Sequence, residues 1–234
     1  YNYVKAFYEN KRSSLLSTSG LESATVLPEY ADVNAGYYGL GLYFSKLDYR
    51  YNPRRGFRAD MSGAIGSKKI KKNSNVNPAL YDSIPLNSTL YRLELNGELF
   101  IPLFRSTTLL IGNKSGYLEN KNLFDNELFR IGGLKTLRGF DEESISASAY
   151  SIFTLEFRYL FDQNSFFQLF AEGGYFERNV NSGYLEDTPY GFGAGVNFET
   201  RAGIFALSYA LGSRKDQPLQ FKTAKIHFGL TAKF

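Results

Sequence analysis

The sequence predicts an all-β protein, an antiparallel transmembrane β-barrel, and three features support that prediction. Apolar and polar residues alternate with a period of two through most of the chain, as they do in half-buried strands. Hydrophobic residues make up 43% of the chain while its mean hydropathy is only −0.29, so the two kinds of residue are interleaved. The chain has no run of about 18 apolar residues, which a transmembrane helix requires. Alternating strands are therefore the elements with which this chain could cross a membrane.

The alternation divides the chain into about ten strands of membrane-spanning length, most of them about 9–14 residues long. Residues 89–101 alternate most cleanly, with Leu93 and Leu95 on one face and Arg92 and Glu94 on the other. The predicted strands cover residues 1–16, 37–51, 57–67, 89–101, 107–118, 148–161, 166–177, 190–199, 203–211 and 224–234.

The connections between these strands alternate between long and short. Asn52 to Gly56 and Asp162 to Ser165 have the composition of tight turns, whereas residues 17–35, 68–88 and 119–147 form long connections. A soluble β-sandwich gives its connections no reason to alternate in length. Outer-membrane barrels of bacteria have tight periplasmic turns and long outer loops. The alternation therefore favours the membrane barrel over the sandwich.

Two local patterns concern the polar residues. Gly191, Gly193 and Gly195 share the polar face of one predicted strand, which indicates that another segment packs against bare backbone in a crowded lumen. The basic run from Lys68 to Lys72 is predicted to be a solvated loop tip. Contact of this run with lipopolysaccharide phosphates is the alternative.

The composition argues against an enzyme. The chain has no Cys and one His, His227, so it lacks thiolate ligands and a second histidine for a metal site or a catalytic triad. The absence of Cys fits an oxidising compartment. The net charge of +4 is modest, and no motif indicates nucleic-acid binding. We expect no enzymatic activity, no cofactor and no metal site.

An arginine motif lies in the longest connection. The segment Ile131-Gly132-Gly133 precedes Leu137-Arg138-Gly139-Phe140, and Leu155-Glu156-Phe157 and Ala171-Glu172-Gly173 follow in the next two strands. Together with the C-terminal pattern, these segments resemble the barrel of the BamA/TamA superfamily of outer-membrane assembly and translocation proteins. The resemblance runs from about residue 37 to residue 234 and is strongest from residue 129 onward.

The resemblance implies a lumen lock. In that family the arginine lies on a long extracellular loop that folds back into the lumen, which makes Arg138 the loop arginine and Glu156 and Glu172 its partners. Both glutamates fall on the polar faces of adjacent predicted strands, where one guanidinium can bind two carboxylates. Gly139 would let the backbone turn close to the barrel wall, and Phe140 would pack in the lumen. The alternatives are an exposed loop arginine and ordinary wetted lumen carboxylates.

The C-terminus resembles the outer-membrane targeting pattern. His227 is polar, Gly229 follows two positions later, and Ala232 and Phe234 are hydrophobic residues three and five positions after the glycine. Ala232 is a weak hydrophobic choice. A final alternating strand with a free edge is a template for strand addition, and the pattern implies that the chain is itself a substrate of the assembly machine.

The resemblance also implies the domain organisation and the function. It predicts that residues 1–234 are the C-terminal part of a sixteen-stranded barrel whose early strands and periplasmic domains are absent from this chain. Closure as a smaller barrel is the alternative. The implied function is insertion of proteins into the bacterial outer membrane by lateral opening and strand pairing, by a multi-pass barrel. Lipid, lipopolysaccharide, unfolded outer-membrane proteins and accessory lipoproteins are the implied partners. A translocator for a partner or fused passenger and a passive pore are the alternative functions.

Overall fold

The computed structural model describes residues 1–15 and 26–232, which contain thirteen β-strands and three short 3-10 helices. None of the helices among these residues has the length and apolar character that crossing a membrane requires. The strands are β1 (Asn2–Ser13), β2 (Asp32–Leu47), β3 (Gly56–Lys71), β4 (Asn87–Phe104), β5 (Thr107–Glu119), β6 (Phe129–Ile131), β7 (Ile145–Ala147), β8 (Ala149–Asp162), β9 (Ser165–Val180), β10 (Gly183–Asp187), β11 (Tyr190–Thr200), β12 (Gly203–Ser213) and β13 (Lys225–Thr231).

Ten of these strands pair with their neighbours in chain order to form one antiparallel sheet. The order is β1-β2-β3-β4-β5-β8-β9-β11-β12-β13, with β10 added to the end of β9 and β6–β7 forming a separate hairpin. Within the described residues the two edge strands, β1 and β13, do not pair with each other. The predicted all-β antiparallel fold is confirmed, and the ten strands of the path correspond to the ten predicted strands.

One face of the sheet exposes large apolar side chains. Tyr38 is 68% exposed, Leu40 is 62% exposed and Phe153 is 60% exposed, whereas the glutamates at 156 and 172 on the opposite face are buried. A soluble protein rarely leaves so extensive an apolar surface uncovered. Apolar residues outside and polar residues inside are the arrangement of a membrane barrel.

The connection between β5 and β8 packs against the polar face, which we call the lumenal face. This connection contains the β6–β7 hairpin, and its buried side chains form an apolar cluster with two residues of the strands β8 and β9. The cluster consists of Ile131, Leu137, Phe140, Ile145, Ala147, Ile152 and Phe176. Burial of one large apolar side chain contributes about 1.5–3 kcal/mol, so the connection is held inside the sheet by its own core.

The structure corrects several sequence-based boundaries. The run Lys68 to Lys72 is not a loop tip, because β3 continues to Lys71 and Lys68 is fully buried. β13 ends at Thr231, so Ala232 lies beyond the strand that was predicted to continue to residue 234. Phe234 lies outside the described residues. The short strands β6, β7 and β10 were not predicted.

Candidate functional site

Arg138 lies on the lumenal face between the carboxylates of Glu156 and Glu172. Its Nε donates to Glu172 Oε1 at 2.8 Å, and its Nη1 donates to Glu156 Oε2 at 2.7 Å. The Arg138 backbone N–H donates to the second Glu172 oxygen, Oε2, at 2.6 Å. The structure thus brings together the three charged residues that the sequence singled out. Both the side chain and the backbone of the motif are held by the strands β8 and β9.

The three side chains are almost completely removed from solvent. Arg138 is 6% exposed, Glu156 is 4% exposed and Glu172 is 7% exposed. The guanidinium carbon of Arg138 lies 3.5 Å from the centre of the Phe170 ring, so an aromatic face covers one side of the charge. Buried charges of this kind require complete pairing, because desolvation costs several kcal/mol per ion.

A second arginine completes the pairing. Arg158 Nε donates to Glu156 Oε1 at 2.7 Å, on the oxygen that Arg138 does not use. The cluster therefore contains two guanidinium groups and two carboxylates, and its formal charge is zero. Arg158 was not predicted to belong to this site, although its position two residues after Glu156 places it on the same face of the strand.

Gly139 and Gly191 allow the motif to lie directly on the sheet. Gly139 has a φ of +96°, and a Cβ at this position would lie 2.7 Å from the backbone of Leu211 and Gly212 in β12. A Cβ on Gly191 in β11 would lie 2.2 Å from the carbonyl oxygen of Arg138. The prediction that another segment packs against the glycines of this strand is confirmed at Gly191, whereas the atoms nearest to Gly193 and Gly195 belong to the adjacent strands β9 and β12. Phe140 is buried in the apolar cluster of the connection.

The tip of the motif loop has its own anchor on β5. Lys114, a lysine on the lumenal face, donates from Nζ to the carbonyl oxygen of Lys135. The Leu134 N–H donates to Glu142 Oε1 at 2.7 Å, which closes the loop on itself. No sequence pattern predicted that Lys114 would contact this loop.

The loop also contacts the last strand. The Gly139 N–H points to His227 Nε2 at a long 3.4 Å, and Lys225 Nζ pairs with Asp141 at 2.8 Å. A Cβ on Gly229 would lie 2.7 Å from the Leu134 side chain. His227 and Gly229, which the sequence placed in the targeting pattern, therefore face the motif loop.

An aspartate holds the outer end of the same connection. Asp125 Oδ2 accepts from Arg130 Nη2, and Asp125 Oδ1 accepts from Arg178 Nε of β9, each at 2.8 Å. Burial acts to raise the pKa of Asp125, but hydrogen bonding and charge from the two arginines outweigh burial and lower that pKa below its ordinary value. The carboxylate is charged at neutral pH, and it ties the connection to the barrel wall.

Lys68 forms a further buried ion pair nearby. Its Nζ donates to Glu127 and also to the carbonyl oxygen of Asn122 at 2.5 Å. The charge lies 5.0 Å from the centre of the Phe124 ring. Lys68 therefore links β3 to the connection between β5 and β8, instead of extending into solvent.

The site holds opposite charges in fixed positions. Among residues 1–15 and 26–232, no group of three or more His, Cys, Asp or Glu side chains could bind a metal ion. The two carboxylates of the Arg138 cluster are fully occupied by arginine donors. What the arrangement can do is fix a loop inside the barrel, and release that loop if the pairing breaks.

A family model decides the relationship of the chain to known proteins. The model of the Omp85 superfamily domain matches residues 1–234. The chain belongs to the Omp85 superfamily. This membership confirms the resemblance to the BamA/TamA barrels that the motif indicated. No curated protein matches the chain.

Omp85 membership establishes the general class of the protein. The superfamily comprises outer-membrane β-barrel proteins that insert or translocate polypeptides without enzymatic chemistry. The apolar outer face of this Omp85 sheet and its polar lumenal face agree with that class.

Proposed function

We propose that this Omp85 chain acts in the insertion of β-barrel proteins into the bacterial outer membrane, as BamA/TamA-type proteins do. The observation that carries the proposal is the buried cluster of Arg138 with Glu156 and Glu172. It holds the longest connection of the chain in the lumen. We call this arrangement the Arg138 lock.

The lock has a mechanical role in this proposal. The connection between β5 and β8 covers part of the lumenal face while the lock is closed, and we propose that it narrows the lumen in this state. Release of Arg138 would free the connection to move and would leave the buried Glu172 without an arginine partner, while Glu156 would keep only Arg158. Because unpaired buried charges are costly, the closed state is favoured until an incoming polypeptide or a partner supplies the energy to open it.

Insertion itself needs no bond to be made or cut. β13 ends the path of pairing, and in the described residues its outer edge carries backbone groups with no strand beside them. Such an edge is a template for an incoming strand. We propose lateral opening at this edge, with strand pairing as the source of recognition. The substrates in this proposal are unfolded outer-membrane proteins.

We also propose how the barrel is oriented in the outer membrane and which molecules it contacts on each side. The long connections face the cell exterior and its lipopolysaccharide, and the short turns face the periplasm. Periplasmic domains and accessory lipoproteins would act from the short-turn side. His227, Gly229, Ala232 and Phe234 are proposed to direct the chain's own insertion.

Depletion of the protein tests the assembly role. We expect the amounts of several outer-membrane barrels to fall together, measured by quantitative mass spectrometry of purified outer membranes. Complementation with Arg138→Ala should fail, while Arg55→Ala, an exposed arginine in a short turn, should restore the barrels. Unchanged barrel amounts after depletion would contradict the proposal. Loss of one secreted passenger alone would favour the translocator.

Conductance in planar bilayers separates the assembly factor from a passive pore. If the connection held by the Arg138 lock narrows the lumen as proposed, the intact protein should have only small, transient conductance. A large and steady conductance would favour the pore.

A further inference from the structure

The Arg138 lock does not end at Glu156. Arg158 approaches Glu156 through Nε at 2.7 Å, and the same guanidinium donates from Nη1 to Asn52 Oδ1 at 2.9 Å. Asn52 in turn donates from Nδ2 to the carbonyl oxygen of Gln163 at 2.9 Å. Continuous hydrogen bonds therefore lead from the motif loop to the turn between β2 and β3, at the opposite end of the strands.

Asn52 is placed for this contact by the shape of its turn. The turn spans residues 48–55, and Asp48 Oδ1 accepts from the backbone N–H groups of Arg54 and Arg55 at 2.9 and 3.1 Å. Arg54 Nη2 donates to the carbonyl oxygen of Arg105 at 2.5 Å, which holds the turn against the β4–β5 turn. Asn52 is only 2% exposed as a result.

The Arg158 side chain is held in place between the motif loop and the turn 48–55. Its guanidinium carbon lies 4.8 Å from the centre of the Phe166 ring and 5.5 Å from the centre of the Phe100 ring. A planar fork held between aromatic rings has one orientation in which it can reach both Glu156 and Asn52. Arg158 and Arg138 bind different oxygens of Glu156. The position of Arg158 therefore sets the orientation of the carboxylate that Arg138 binds.

We propose that Asn52 and Arg158 are positioning residues of the Arg138 lock, and that the turn 48–55 controls from the short-turn side how firmly the motif loop is held. This inference rests on the proposed lock and extends it to the periplasmic end of the barrel. A partner that pulls Asn52 away from Arg158 would loosen Glu156 and so weaken the grip on Arg138.

The test uses the absence of Cys from the 234 residues. Leu137 is fully buried beside Arg138. Leu137→Cys in the full-length protein, with any cysteine outside these 234 residues changed to serine, therefore reports opening of the loop through its rate of labelling by a membrane-impermeant maleimide. Glu172→Gln, which breaks the lock directly, gives the reference for fast labelling. Asn52→Ala should increase the labelling rate about tenfold, the effect of losing one hydrogen bond to a charged group.

Three further variants test whether the change in labelling rate comes from the hydrogen bonds of Asn52 and Arg158. Arg158→Lys keeps the charge but cannot reach both partners, so it should also label faster. Asn52→Asp keeps a charged acceptor for Arg158 although it loses the donor to the Gln163 carbonyl, so it should label more slowly than Asn52→Ala. Arg55→Ala changes an exposed side chain of the same turn and should have no effect. Far-UV circular dichroism confirms that each variant is folded.

Because Asn52 acts through Arg158 and Glu156 in this proposal, the effects of Asn52 and Glu156 variants on the labelling rate should not be additive. In a Glu156→Gln background, where the connection to Arg158 is already weakened, Asn52→Ala should add less than a twofold increase in labelling. Wild-type labelling of both Asn52→Ala and Arg158→Lys would overturn the inference while leaving the lock intact. A full additional tenfold increase in the Glu156→Gln background would also overturn it, since Asn52 would then act by another route. Slow labelling of Glu172→Gln would instead refute the lock itself.

Discussion

Replacement of Glu172 by Gln gives the strongest thermodynamic test of the buried cluster. The carboxylate receives the Arg138 backbone N–H and Nε at 2.6 and 2.8 Å, and Arg138 Nη2 lies 2.6 Å from Oε1. Gln removes the negative charge, so two guanidinium groups remain with one carboxylate. One side-chain oxygen is also replaced by an NH2 group, which cannot accept the hydrogen bonds donated by Arg138. The side chains of Arg138 and Glu172 are both buried, so solvent cannot compensate.

We expect Glu172→Gln to lower the free energy of unfolding by about 3–5 kcal/mol, the cost of breaking a buried ion pair on one side. The assay is urea titration of the protein in lipid vesicles, followed by far-UV circular dichroism because the chain has no Trp. Glu94→Gln is the matched control. Glu94 also faces the lumen and pairs with Arg92 at 2.7 Å, but its side chain is 40% exposed. The control should change the free energy by less than about 1 kcal/mol. Similar losses in both variants would refute the argument from burial.

Three further predictions concern the elements around the lock. The lowered pKa of Asp125 means that its stabilising contribution is present above its ordinary pKa of 3.8 and is lost as the pH falls through the lower pKa of the folded protein. The protection factors of residues 120–130 in hydrogen exchange should therefore fall on acidification below pH ~4, and Asp125→Asn should flatten that dependence. Gly191→Val should displace the Arg138 carbonyl and increase protease cleavage of the motif loop, because a Cβ would lie 2.2 Å from that oxygen; unchanged cleavage would contradict the close packing. Lys68→Ala leaves Glu127 buried without its cation and should destabilise the protein by about 3–5 kcal/mol in the same urea assay, whereas the double variant with Glu127→Ala should recover part of the loss.

Strand alternation predicted the membrane-crossing part of the fold well. Residues 89–101 lie inside β4, because side chains that alternate between lipid and lumen leave a period-two pattern. The pattern fades where strands continue beyond the apolar band. The lysines at the end of β3 therefore suggested a loop, although the pairing of β3 with β2 continues to Lys71. Three-residue strands such as β6 and β7 are too short to show any period.

The candidate site, too, could be predicted from the sequence only in part. Arg138, Glu156 and Glu172 could be selected because the motif and the polar register of two successive strands pointed to one another. The contact between Arg158 and Asn52 spans 106 positions in the sequence. It depends on how the turn folds beneath the sheet, and no local pattern encodes that. The pairing of Lys68 with Glu127 was hidden for the same reason, since it joins a strand to a distant loop.

Charge reversal of the lock measures its importance to the cell most directly. The experiment replaces the natural protein by Arg138→Glu, alone and together with Glu172→Arg, and measures the amounts of outer-membrane barrels by quantitative mass spectrometry. The single variant places three carboxylates around one arginine, whereas the double variant restores opposite charges across the same gap. The account predicts depleted barrels with the single variant and partial recovery with the double variant. Normal barrel amounts with Arg138→Glu alone would contradict it.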